Sequence, residues 1–259
     1  MDPILFYSLE QQDEFIANLF DFKKGGTFLD ISCWQPIVAS NSYTLENQFD
    51  WSGFCFDLLN AESMFQWSSH RTSKFAQMDA SSTELTSYLK NEFPNGAVID
   101  YVSLDVDGLA TVKALERVVD AGIRFKAATF EHEYYLYNEK YRDMSRSIMK
   151  DLGLVPLFSD IKCHTVNLVS PDKINDTESF EDWFIDPKYF GEDILTIQAS
   201  DLYYDECVEI LKQFKNASYT CRHMSCRAYP DEYSHKLLPQ EEPYMKNLFQ
   251  KYTPRRLQR

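Results

Sequence analysis

Five successive apolar runs in this chain end in acid. Asp30 lies in "FLDISC", Asp57 ends "GFCFD", Asp79 follows "KFAQM", Asp105 and Asp107 close "IDYVSLDVD", and Glu131 follows "KAATF". Aspartate is depleted in strands, and acids gathered on one rim repel each other. A single acid at a strand end is an ordinary turn former or helix cap. Five in succession point to a ligand rich in hydroxyl and amine donors, or to a cation. His132 stands next to Glu131, and histidine is the side chain best suited to general base work near neutral pH.

The stretch after Asp30, "ISCWQPIVASN", has no glycine, although a nucleotide-binding turn is expected to carry one. Neither GxGxxG nor GxxxxGK[ST] occurs in the chain, which disfavours dinucleotides and nucleoside triphosphates. A cofactor with ribose hydroxyls, an adenine amine, a cationic sulfur and no phosphate fits an acid-lined rim better. S-adenosylmethionine has those features.

The elements that must position these acids alternate regularly. "SLEQQDEFIANLFDF" predicts a helix capped by Ser8, with apolar residues recurring at Phe15, Ile16, Leu19 and Phe20. Strands then alternate with helices: "TFLDISC", "NSYTLENQF", "GFCFDLL", "AESMFQWSSH", "KFAQMD", "SSTELTSYLKNEF", "VIDYVSLDVD", "LATVKALERVVDAG", "FKAATFEHEYY" and "NEKYRDMSRSIMKDLG". "LVPLFSD" and "HTVNLVS" read as a closing hairpin. Near-continuous apolar strands separated by amphipathic helices predict a doubly wound, mostly parallel Rossmann-like sheet, here of seven strands. Ligands of such sheets bind at the carboxyl ends of the strands, where the acids lie.

Bulk properties narrow the partners. The length of 259 residues suits one large domain with an appendage, and 44% hydrophobic residues supply a full core. The net charge of −14 opposes nucleic acid, whose binders carry basic patches; the only basic cluster is the tail "KYTPRRLQR". No apolar run is long enough to span a membrane, and the acidic start lacks signal-peptide features, so a cytoplasmic location is expected. Six cysteines are scattered. "CRHMSC" brings Cys221, His223 and Cys226 close, but without a second spaced pair they read as reduced, non-ligating thiols.

Taken together, "FLDISCWQPIVASNSYTLE", "WSGFCFD", "IDYVSLDVDG", "FEHEYY" and "FEDWFIDP" resemble FkbM-type methyltransferases, class I S-adenosylmethionine-dependent O-methyltransferases. The resemblance spans about Thr27 to Pro187. Asp30, Pro36, Ser40 and Asn41 match the first motif; Ser32 stands where the family has glycine, and Cys33 where it has alanine. The resemblance implies a methyltransferase domain over residues 1–187, with residues 188–259 as an extension serving as lid, acceptor site or homo-oligomer contact.

It also implies roles. Asp30 and Ser32 would face the methionine end of the cofactor, with Ser40 and Asn41 closing the turn. Asp57 would accept the ribose hydroxyls, and Asp79 would approach the adenine amine or cap the next helix. Asp105 would lie beside the transferring methyl group. Asp105, Glu131 and His132 would hold a divalent cation such as magnesium, with His132 and Asp105 catalytic. A hydroxyl needs a base or a metal before it attacks a methyl group. Without a cation, His132 acts alone as base; in the bland alternative it is a core histidine. Trp183 and Phe184 would stack on a sugar or fill the core. The acceptor implied is a small-molecule or glycan hydroxyl. The rival expectations are a degenerate member, motivated by Ser32, that keeps the fold to bind a partner, and a methyltransferase for another small molecule or nucleic acid, with the net charge of −14 weighing against the last.

Overall fold

The structure is a computed structural model that describes residues 2–58, 67–163 and 179–225. Its centre is an eight-stranded sheet in the order β4-β3-β2-β5-β6-β8-β7-β9. The strands are β2 (Thr27–Ile31), β3 (Ser52–Asp57), β4 (Lys74–Gln77), β5 (Ala97–Leu104), β6 (Ile123–Glu131), β7 (Val155–Lys162), β8 (Ser179–Ile185) and β9 (Ala199–Ser200). β2 to β6 run parallel. β8 lies antiparallel between β6 and β7. Six of the expected seven strands are present as β2 to β7; β8, in "SFEDWFI", is a strand not among those expected, and the two-residue β9 extends the β7 edge in parallel. β7 finds its antiparallel partner in β8; "HTVNLVS", the expected second arm of the hairpin, lies outside the described residues.

Helices cover both faces, because each parallel crossover must return the chain along the sheet. On one face lie α1 (Gln12–Leu19), α2 (Tyr43–Phe49) and α7 (Tyr204–Lys215), whose Phe15, Leu45 and Val208 share one apolar cluster with Phe28 and Trp183. On the other lie α3 (Thr83–Glu92), α4 (Leu109–Asp120) and α6 (Glu139–Asp151), packed through Leu85, Leu115 and Met149 onto Val102 and Phe130. A single turn, α5 (Tyr134–Tyr137), separates β6 from α6.

A separate parallel pair joins the two ends of the described chain. β1 (Ile4–Phe6) pairs with β10 (Cys221–His223), and α7 packs on α1. Residues on both sides of position 187 therefore bury into one core cluster. The basic tail, Cys226 and residues 59–66 lie outside the described residues.

α1 is shorter than expected. It begins at Gln12, after Gln11 in a left-handed conformation (φ 59°), and Ser8 bonds the Asp13 carboxylate and backbone instead of capping a longer helix. Asp13 is fully buried, and satisfying it fixes how the N-terminal segment enters the helix.

Candidate functional site

β2 is the pivot of the sheet, with β3 on one side and β5 on the other. In register, Asp30 pairs with Cys55 and with Ser103. The chain leaves β2 through a loop that bends without glycine: Ser32 stands at φ 70°, Trp34 at φ 46° and Ala39 at φ 57°. L-residues pay about 1–2 kcal/mol for the left-handed region, which glycine enters freely. The sharp turn expected after the first strand is therefore present, built from residues that strain to make it. Ser32 and Cys33 both donate their N–H to the Phe56 carbonyl, at 2.8 and 3.2 Å, which holds the turn against β3.

The acids of three adjacent strands meet at this turn. Asp30 is buried and accepts the Ser42 hydroxyl at 2.5 Å. Asp57, at the end of β3, accepts the Trp34 N–H at 2.8 Å. Asp105, just past β5, is exposed. Burial pushes Asp30 up to about 6; the Ser42 bond and Arg71 oppose this, while Asp105 and Asp57 add to it. A cavity of about 50 Å³ lies here, lined in part by Asp30, Ser32, Trp34, Asn41 and Asp105, with Glu10 and Gln12 from the N-terminal segment as a further wall.

Further acids gather around Asp105 and Glu10. Glu131 stands opposite Glu181 across the β6–β8 pair. Burial and the neighbouring Asp105 raise Glu131 well above the usual carboxylate range. Burial and Glu10 likewise raise Glu181, which accepts from Trp183 Nε1 at 2.8 Å and Gln12 Nε2 at 3.1 Å. Glu133 accepts the Gly108 N–H at 2.5 Å, with Gly108 at φ 49°. A β-carbon at that glycine would fall 2.8 Å from the Tyr137 ring, so the turn into α4 needs glycine there.

The remaining expected residues take other positions. Ser40 Oγ accepts the Tyr43 N–H at 3.1 Å, tying the loop to the start of α2. Asn41 Nδ2 donates to Ser103 Oγ at 3.0 Å and bridges the loop to β5. Asp79 accepts the N–H and hydroxyl of Ser81, at 2.9 and 2.7 Å, so it braces the turn before α3. Trp183 and Phe184 are fully buried, in the core role.

His132 takes the place of a core histidine, the alternative to base or cation ligand. The ring is fully buried; its Nδ1 accepts the Tyr134 N–H at 3.2 Å and its Nε2 lies 3.4 Å from Asp182. The ligand atoms that converge with it are those of Asp182 and Asp160, not those of Asp105 and Glu131. The expected three-residue cation set is therefore not assembled. The cause is the backbone: Glu133 takes a left-handed conformation (φ 48°), and the N–H groups of His132 and Glu133 both bond the Phe180 carbonyl. Burial would raise Asp182, but a two-bond fork from Arg146 and the nearby His132 outweigh it and hold Asp182 at about 2.

Two groups escaped sequence reasoning. Arg71 is buried, bonds Glu46 at 2.6 Å, the Pro36 carbonyl at 2.9 Å, Ser40 Oγ at 3.2 Å and Ser42 Oγ at 2.9 Å, and packs 4.6 Å from the Trp67 ring centre. Glu10 and Gln12 close the cleft from the N-terminal segment. No motif marks either. A lone arginine between a helix and a strand reads as a surface charge until the fold surrounds it.

The sequence matches no protein-family model and no curated protein, so the FkbM-type resemblance rests on the residues alone. Solved structures are similar at a distance. A TehB-like S-adenosylmethionine-dependent methyltransferase from Corynebacterium glutamicum is 13% identical over 66% of this chain and 86% of its own, with a TM-score of 0.39. A protein from Clostridium thermocellum described as an rRNA methylase is 10% identical over 70% and 96%, at 0.44. One from Mycobacterium abscessus described as an oxidoreductase is 11% identical over 59% and 52%, at 0.30. At these identities and scores no activity carries over to this chain. Among the described residues no helix is long and apolar enough to cross a membrane.

Proposed function

We propose that this protein transfers a methyl group from S-adenosylmethionine to a hydroxyl, on a small molecule or glycan. The observation that carries the reading is the meeting of Asp30, Asp57 and Asp105 at the carboxyl ends of three adjacent parallel strands, at a strained turn with no phosphate cradle. Doubly wound sheets bind their ligands at this point. The order β4-β3-β2-β5-β6-β8-β7, with antiparallel β8 between β6 and β7, resembles that of class I methyltransferases and supports the same reading.

The donor set fits the cofactor. Carboxylates at the strand ends match ribose hydroxyls, an ammonium and a sulfonium. The space needs a change, since about 50 Å³ is well below the ~300 Å³ that a ligand of this class fills.

When bound, S-adenosylmethionine supplies a methyl group on positively charged sulfur. The chain's own residues do the rest. Asp57, oriented by the Trp34 N–H, would hold the ribose, and Asp30 would fix the turn beneath the methionine end. The Asp105–Glu131 pair takes the place expected of His132. Burial and Asp105 raise Glu131 above the usual carboxylate range, and a carboxylate of the pair would take the proton of the attacking hydroxyl. The same two carboxylates would hold magnesium, which keeps several waters where protein ligands are few. His132 supports the turn after β6.

Ser32 and the small cavity favour the rival reading, a methyltransferase-fold binding protein without catalysis. Titration calorimetry with S-adenosylmethionine and S-adenosylhomocysteine, with and without magnesium, separates the two. Micromolar binding to wild type, abolished in Asp57→Ala, is the expected result. No binding to a folded wild-type protein at millimolar cofactor overturns the enzyme reading.

A further inference from the structure

A second cluster of metal-binding atoms lies away from the cleft. Glu14 on α1, and Cys221 and His223 on β10, bring a carboxylate oxygen, a thiol sulfur and an imidazole nitrogen within 4.8 Å of one another. Glu14 is buried and the other two are half-buried. The Glu14 carboxylate contacts His223 Nε2 through one oxygen, and its other oxygen lies 3.8 Å from Cys221 Sγ.

We propose that this cluster binds a zinc ion. The ligand chemistry selects the metal: one sulfur, one nitrogen and one oxygen suit zinc, whereas calcium and magnesium take oxygen sets. The supports are those of a built site. The Tyr219 hydroxyl donates to Glu14 Oε1 at 2.5 Å and is itself bonded by Asn18 Nδ2, at 2.6 Å. The His223 ring stacks on Phe6, with centres 5.9 Å apart, so its direction is set by packing. Such outer partners orient metal ligands.

The charge agrees. Zinc with one carboxylate, one thiolate and a neutral imidazole is neutral as a set. Lys212, whose Nζ lies 3.9 Å from Glu14 and 3.7 Å from Glu209, does not have to leave. Three protein ligands leave the fourth tetrahedral position for water. A groove of about 570 Å³ is lined in part by Lys212 and Tyr219, the two residues that reach Glu14 from α7 and the segment before β10. The ion would clip β10 to α1 and so fasten the C-terminal segment across the N-terminal one.

The test uses the full chain, stripped with a chelator and titrated with zinc alone against a chromophoric chelator. Cobalt substitution follows as a spectroscopic probe. One equivalent of zinc and a sulfur-to-cobalt charge-transfer band are expected. Both should survive in Cys163→Ser and Cys226→Ser. Cys221→Ser should lose the band, and Cys221→Ser, His223→Ala and Glu14→Gln should each weaken zinc binding at least about tenfold. Failure of the wild-type protein to bind zinc at micromolar concentration overturns the proposal, with no variant needed. So does binding that is indifferent to Cys221→Ser, which would mark an adventitious ion. Neither result depends on cofactor binding in the cleft.

Discussion

Arg71 reaches Asp30 through a single hydroxyl. Ser42 Oγ donates to Asp30 Oδ2 at 2.5 Å and accepts from Arg71 Nη2 at 2.9 Å. The buried cation and the buried acid of the candidate site are thus joined by the residue just before α2. The same guanidinium holds Glu46, which burial would raise but which Arg71 and the bonds from residues 72–73 keep below the usual range. The cleft floor is therefore one electrostatic unit.

Arg71→Met should be strongly destabilising. It leaves Glu46 and Asp30 buried without their cation, and breaking such a pair costs about 3–5 kcal/mol. Urea unfolding at neutral pH measures this. Arg71→Lys should recover only part of the loss, because an ammonium cannot match the four partners that the planar fork reaches.

Ser32→Gly should stabilise the fold. Serine at φ 70° carries strain that glycine lacks, and the relief exceeds glycine's extra unfolded-state entropy by a small margin, about 0.5–1 kcal/mol. The melting temperature reports it. A lower melting temperature would mean that the serine side chain makes a contact worth more than the strain.

His132→Asn and Asp182→Asn should lower stability while leaving cofactor affinity intact. Asp182→Asn removes the charge that faces Arg146, at a cost of about 3 kcal/mol. His132→Asn gives up a buried hydrogen bond, about 1–2 kcal/mol. Paired unfolding and calorimetry separate the two effects. A folded His132→Asn protein that binds cofactor normally but turns over a hundredfold more slowly would return His132 to the role of base.

Stability should rise as pH falls from about 6 toward about 4. Asp30, Glu131 and Glu181 have folded pKa values above their unfolded ones, so the native state binds more protons than the unfolded chain in this window. For Asp30 the move from 3.8 to about 6 amounts to about 3 kcal/mol, a cost present above pH 6 and relieved as pH falls toward 4. Asp182 acts the other way only at lower pH: its depressed value contributes stability above about 4 that is lost as pH falls toward 2. Asp30→Asn should flatten the upper limb of the profile, measured by urea unfolding across pH.

The alternation of strands and helices was legible because its causes are local: near-continuous apolar strands and amphipathic helices with apolar residues at helical spacing. The strand-end acids could be named for the same reason, since a parallel crossover places each strand's end on one rim. The direction of a side chain beyond the strand end was not legible. One left-handed residue, Glu133, accompanies the turn that sends His132 toward Asp182, 50 residues on, and no spacing rule encodes that.

Sequence by itself determined the class of the sheet and which residues could stand at its ligand-binding edge. Only the tertiary structure decided which of them meet. Asp30, Asp57 and Asp105 converge because β3 and β5 flank β2, and Arg71 is buried among them because the loop after β2 folds over it. Glu14 meets His223 across 209 positions because β10 pairs with β1. Local patterns fix the elements through short-range sterics and hydrophobic periodicity. The charges inside are placed by packing, which brings distant segments together and leaves each buried charge to find its partner there.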